Sequence, residues 1–223
     1  MNELAADVNA MLLALVKYNL GLALGAILIA LPIACLVAMG RLSPVRIVHA
    51  VTTVYVNVLR SIPLLMVMFW FYAVGPMISG RPVSPYFAAL TSIAAFEVAY
   101  FAEIIRSGLQ SVSVGQRNAG LASALSKRQV LWLIILPQAL RRMMPALLSQ
   151  ALITFQESTV ASVISVPEIL DTTTVINSRG ANTIFLYSAL AATFLVLCYS
   201  LSVTIRYVDG RSRRRIIGWA PVS

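Results

Sequence analysis

Carboxylates are scarce in this chain. Eight Asp and Glu stand in 223 residues, and together with 17 Lys and Arg they make a charged fraction of 11%. A water-soluble domain carries about 25% charged residues, so this composition excludes an ordinary solvated surface. Cysteine is nearly missing: Cys35 and Cys198 sit singly inside apolar runs, with no CxxC, which excludes a disulfide framework. His49 is the one histidine and stands alone, so no metal site is expected. No G-x-x-x-x-G-K-[ST] occurs, which excludes that phosphate-cradling loop and ATP hydrolysis through it. No Ser/His/Asp constellation is present either. The chain is read as non-enzymatic, with no catalytic residue and no cofactor. A basic start followed by a short apolar run and a small-residue cleavage site is also lacking, so no cleavable signal is expected.

Hydrophobic residues are what the chain has, at 59% with a mean hydropathy of +0.85. A bilayer core about 30 Å thick takes roughly 20 apolar residues as a helix. Five stretches meet that length, at 12–40, 47–74, 85–105, 131–155 and 183–205. The fold class is therefore an all-α membrane protein of five transmembrane helices. The organisation expected is an extracytoplasmic N-terminus (1–11), a transmembrane domain (12–208) and a basic cytoplasmic tail (209–223). The segment 161–180, with Pro167, Asp171 and Thr172 to Thr174, is too polar to span and reads as external or re-entrant. Pro137 and Pro145 are expected to bend the fourth span, since each removes a helix hydrogen bond.

Cationic residues concentrate on the cytoplasmic side of a membrane protein. Thirteen fall after spans one, three and five or in the first turns of span four, against Lys17, Arg81 and Arg179 on the other side. That asymmetry places the N-terminus outside and the C-terminus inside. It also accounts for the net charge of +9 as topology, so nucleic acid is not expected as a partner. The run Arg211 to Arg215 is expected to meet anionic membrane lipid.

Residues 107–130 form the longest cytoplasmic connection, and they are too regular for a plain turn. Ser113 with Gln116, and Ser126 with Gln129, each have capping-box spacing. The first pair predicts a short helix over 115–124, and the second predicts the helix that becomes span four. Small residues lie between them, which allow another surface close to the backbone. An ordinary interfacial hairpin is the competing reading. Gly115-Gln116, Asn118-Ala119-Gly120, Ala124-Leu125-Ser126 and Ile134-x-Leu136-Pro137 together resemble the EAA loop of binding-protein-dependent ABC permeases. Asn118, Gly120 and Ala124 replace the Glu, the second Ala and the Gly of that pattern. The resemblance continues in Arg60-Ser61-Ile62-Pro63, in Phe96 to Gly108, in Leu136 to Arg141 and in Phe155-Gln156-Glu157-Ser158-Thr159. Within the family, these segments look most like glutamate/aspartate permease subunits. The resemblance implies a type I ABC importer permease of the bacterial inner membrane, with short coupling helices. It implies as partners a cytoplasmic ATPase dimer, a second and homologous permease, and an extracytoplasmic solute-binding protein. Gly115, Gln116, Asn118, Ala119, Gly120, Ala124 and Leu125 would form the ATPase-coupling loop.

An ionisable side chain inside the bilayer is costly and normally faces a cavity or a partner. The substrate-pathway candidates are Arg60, Glu97, Glu157, Ser158 and Thr159. Arg60 can fork onto a substrate carboxylate; equally it can pair with Glu97 or cap broken backbone near Pro63. Glu157 stands in a polar triplet suited to a cavity lining, or it anchors Arg60 or a backbone turn. Glu103 and Arg106, three apart, are expected as a structural ion pair. Two rival functions remain beside the glutamate/aspartate reading: a permease for another polar amino acid, and a proton-coupled secondary carrier using Glu97 and Glu157. A non-transporting scaffold is the third.

Overall fold

A computed structural model of the protein describes residues 2–180 and 182–217, with the side chains of 2–4, 79 and 208–217 outside the description. The side chains of the basic tail from Arg211 onward therefore lie outside the described residues. The first helical stretch is α1 (Asn2–Ala14), a π-helical turn (Leu15–Leu20) and α2 (Gly21–Arg41). It therefore begins well before residue 12, inside the segment expected to precede the first span. Then follow α3 (Arg46–Ser61), α4 (Leu64–Ser79) and α5 (Pro85–Gln110). The short helices α6 (Val114–Ala122) and α7 (Lys127–Gln129) lead through a second π-helical turn (Val130–Ile135) into α8 (Leu136–Glu157). A 3-10 turn (Ser158–Ile164), α9 (Ile169–Ser178) and α10 (Thr183–Ile217) complete the chain.

Among the described residues four helical stretches are long and apolar enough to cross a membrane, or five if the bent pair α3 and α4 counts as one span. That pair corrects the expectation of a single helix over 47–74. Its two helices meet at 106°. The break, though not its angle, has a local cause: Pro63 carries no amide hydrogen, and it pushes the preceding Ile62 into extended backbone (φ −107°, ψ 138°). The helix stops at Ser61 and a new one starts at Leu64.

Helix α5 is the hub, and its side chains fill both central clusters of buried residues. In lipid, helices gain little from hydrophobicity and associate by close packing of small residues. Ala26, Ala30, Ala34 and Ala38 recur every four residues on α2, and all are fully buried. They face Ala88, Ala89, Ala99 and Ala102 on α5 within the same clusters. Gly108 does the same for α5 and α8, since a Cβ there would lie 2.8 Å from that of Met143. Helix α10 buries few side chains over Thr183–Tyr207, Leu186 being the fully packed one.

Candidate functional site

The polar centre lies where α5 meets the C-terminal half of α8. Glu97 is fully buried. Both its carboxylate oxygens accept from Gln150 Nε2, at 3.2 and 3.1 Å. Thr154, one turn further along α8, is buried and donates to the Gln150 carbonyl at 2.9 Å. The half-buried Glu157 carboxyl comes close enough to interact with that of Glu97, and its Oε2 is buried without a hydrogen-bond partner. The structure thus brings two sequence candidates, Glu97 and Glu157, into one acidic niche.

Arg60 is elsewhere. It sits at the end of α3, just before the Pro63 break, exposed, with its guanidinium 5.2 Å from the Tyr100 ring centre. Among the described residues no salt bridge joins it to a carboxylate, so the expected pairing with Glu97 is not formed. The end of α3 lies beside Tyr100, about a turn closer to the C-terminal end of α5 than Glu97. Ser158 is also not a free lining residue. It is fully buried, donates to the Phe155 carbonyl at 2.7 Å, and accepts from Asn19. Thr159 donates to the Gln156 carbonyl at 2.8 Å.

Glu103 holds Arg106 through two contacts, one from Nε at 3.1 Å, and it also holds Arg41 at the end of α2. One carboxylate therefore ties the C-terminal ends of α2 and α5. Nearby, Arg142 on α8 donates to the Ser111 carbonyl, which fixes the start of the 107–130 connection.

The connection itself carries α6 between two caps of different quality. Ser126 and Gln129 form the full capping box. Ser113 starts α6 without a side-chain cap, so the first expected capping box is absent and the helix ends at Ala122 rather than 124. Gly115, Gln116, Asn118 and Ala119 are exposed on α6. Gly120 faces inward instead: a Cβ there would lie 2.6 Å from Ile134 Cδ1 and 2.9 Å from Val130 Cγ2. Leu125 packs half-buried against the cluster of Val112, Val130, Ile135 and Ala139. Ala124 takes the left-handed conformation, φ 61°, which costs an L-residue roughly 1–2 kcal/mol. Ala124→Gly is therefore expected to stabilise the loop locally by about 1 kcal/mol. Hydrogen exchange checks it: amides of residues 120–126 should exchange about fivefold more slowly.

Three polar groups, Gln150, Asn19 and Glu168, were missed in the sequence. Gln150 is a lone amide in the middle of span four. Asn19 is a carboxamide in span one and is fully buried. It donates to Ser158 Oγ at 3.0 Å and to Glu168 Oε2 at 2.9 Å, and accepts from the Ile169 amide at 3.1 Å. Glu168 in turn accepts from the Asp171 amide at 2.9 Å and caps α9. Burial raises the Glu168 carboxyl above its ordinary range, against the pull of the Asn19 amide. The available signal was the rule that an uncharged amide inside an apolar span needs a partner.

Comparison with known proteins adds to this geometry. Residues 12–214 match the family described as binding-protein-dependent transport system inner membrane component. The glutamate/aspartate import permease protein GltK of Escherichia coli O157:H7 is 36% identical over 184 residues, covering 79% of this chain and 82% of that protein. The glutamine transport system permease protein GlnP of Escherichia coli K12 is 32% identical over 168 residues, covering 75% and 77%. A crystal structure of an amino acid ABC transporter with histidines superposes with a TM-score of 0.87 at 25% identity, covering 94% of this chain and 97% of that one.

Proposed function

The chain belongs to the family of binding-protein-dependent transport system inner membrane components, and from that premise we propose that it is the permease that passes glutamate and aspartate in an ATP-driven importer. It is a multi-pass inner-membrane permease subunit of an amino-acid ABC importer, and the family implies a separate ATPase and a solute-binding protein as its partners. A second, homologous permease completes the pathway in this reading, and the N-terminus lies outside.

The observation that carries the reading is the mounting of α6. Its outer face presents small, exposed residues, Gly115 and Ala119, with Gln116 and Asn118 beside them. Its inner face rests through Gly120 on Val130 and Ile134, which lead directly into α8. A push on the exposed face therefore reaches α8 and, at its far end, Glu157. Packed helices respond to such a push by rigid-body motion rather than by local deformation. Arg60 supports an acidic substrate, because its exposed guanidinium forms no salt bridge among the described residues, feels Glu103 only at longer range, and can fork onto a carboxylate. Glu157, with an unpartnered buried oxygen, suits the substrate ammonium.

The test is reconstitution of the chain with its partner subunits in proteoliposomes. Uptake of glutamate and aspartate should require ATP and the binding protein, and a tenfold excess of glutamine should not compete. Uptake of glutamine but not glutamate would overturn the substrate and leave the permease assignment standing. Uptake driven by a proton gradient without the ATPase would overturn the mechanism itself.

A further inference from the structure

We propose that Asn19 is a positioning residue for transport, pinning the extracytoplasmic segment Ser158–Ser178 to the first span so that the two move as one body. The inference rests on the reading of the chain as an ATP-driven permease. Asn19 uses both ends of its carboxamide. The nitrogen serves Ser158 and Glu168, and the oxygen takes the Ile169 amide at the start of α9. All three partner residues are fully buried. In such a setting a broken bond leaves a polar group without water to replace it, so the contacts are made together or lost together.

Asn19 lies in the π-helical turn Leu15–Leu20, a departure from regular helix that recurs at functional positions. The turn is flanked by an apolar contact layer of Met11, Leu15, Phe155, Ile169 and Ile176 that joins the same elements. The pinned segment begins at Ser158, directly after Glu157 of the acidic niche. Asn19 therefore sets where the outer end of the pathway sits, without touching the niche itself. A solute-binding protein that docks on the outer face presses on a unit made of span one and this segment. With the pin removed, the segment shifts without carrying span one, and the signal to the ATPase is lost.

The experiment uses the complete assembly in proteoliposomes and compares basal with binding-protein-stimulated ATPase activity, alongside uptake. Asn19→Leu keeps the branched shape, in a somewhat larger side chain, and removes the bonds. Asn19→Asp sets a carboxylate against Glu168. Both are expected to cut the stimulated activity at least tenfold while basal activity stays within twofold. The reciprocal pair N19D/E168Q reverses the bond: the new carboxamide at 168 donates to the new carboxylate at 19 and still accepts from the Asp171 amide. It is expected to recover at least fivefold over N19D alone. Stimulation within twofold of the parent in both single variants would overturn the proposal, and so would a reciprocal pair no better than N19D. Where N19L fails to assemble, the comparison of N19D with N19D/E168Q, in assembly as well as activity, decides in the same two directions. A parent assembly that shows no ATP-dependent uptake would instead sink the permease reading and is distinguishable from either result.

Discussion

Ala119→Trp is expected to lower ATP-dependent uptake by at least about 30-fold while the chain still folds and inserts into the membrane. Ala119 is exposed in the middle of α6, where small side chains let a partner approach the backbone. Loss of a central contact in a protein interface costs roughly 2–4 kcal/mol, and each 1.4 kcal/mol is about tenfold in affinity. An indole at this position blocks such an approach sterically. The expected signature is loss of ATPase co-purification in proportion to uptake. Gly120 is the informative neighbour. A side chain there collides with Val130 and Ile134, so Gly120→Val damages the mounting of the helix and not its outer face. It should reduce assembly itself, which Ala119→Trp does not. Wild-type co-purification with Ala119→Trp would move the ATPase contact away from α6.

Arg60→Ala is the second large effect, with uptake at low substrate expected to fall about 30- to 100-fold through a raised apparent KM. Charge-assisted hydrogen bonds are worth about 1.5–3 kcal/mol each. The alternative is a structural role. The contact seen for Arg60 is the Tyr100 ring at 5.2 Å, and such a contact at an exposed site is worth only about 0.5–1 kcal/mol. On that account the loss would be no more than about fivefold. The magnitude therefore separates the two. Arg60→Lys keeps charge but not the planar fork, and it should fall between, with about a tenfold loss. ATPase co-purification should be unchanged in both variants, because neither substitution alters the exposed face of α6.

The spans were legible because lipid imposes a length and a composition, and runs such as Thr183 to Ile205 satisfy both without ambiguity. Local chemistry was legible where it is set by neighbours in sequence. Ser126 and Gln129 form their box, and Glu103 meets Arg106 three residues on. The break at Pro63 was readable as a cap problem near Arg60, but its angle was not. A proline marks where a helix ends, while 106° is set by how α4 packs against α5. Contacts between spans were not legible. Gln150 reaches Glu97 across 53 residues, and Asn19 reaches Glu168 across 149. Arg41 joins Glu103 for the same reason, since hydropathy windows carry no information on which helix faces which. Asn19 and Gln150 were not singled out in the sequence, and Arg41 counted there only as one cation of the charge asymmetry. Ser113 gives the opposite lesson. Its spacing to Gln116 fits a capping box, yet its side chain makes no cap bond, because spacing permits the bond without requiring it.

The central claim is that α6 is a cytoplasmic surface on which a separate ATPase pushes. Cysteine labelling tests it most directly. With Cys35 and Cys198 replaced by serine and Ala119→Cys introduced, a membrane-impermeant maleimide should label the chain in inside-out vesicles and not in intact spheroplasts. Co-assembly with the ATPase should then protect the thiol by at least tenfold. Labelling from the outside of intact spheroplasts would contradict the claim, because no cytoplasmic motor reaches that face.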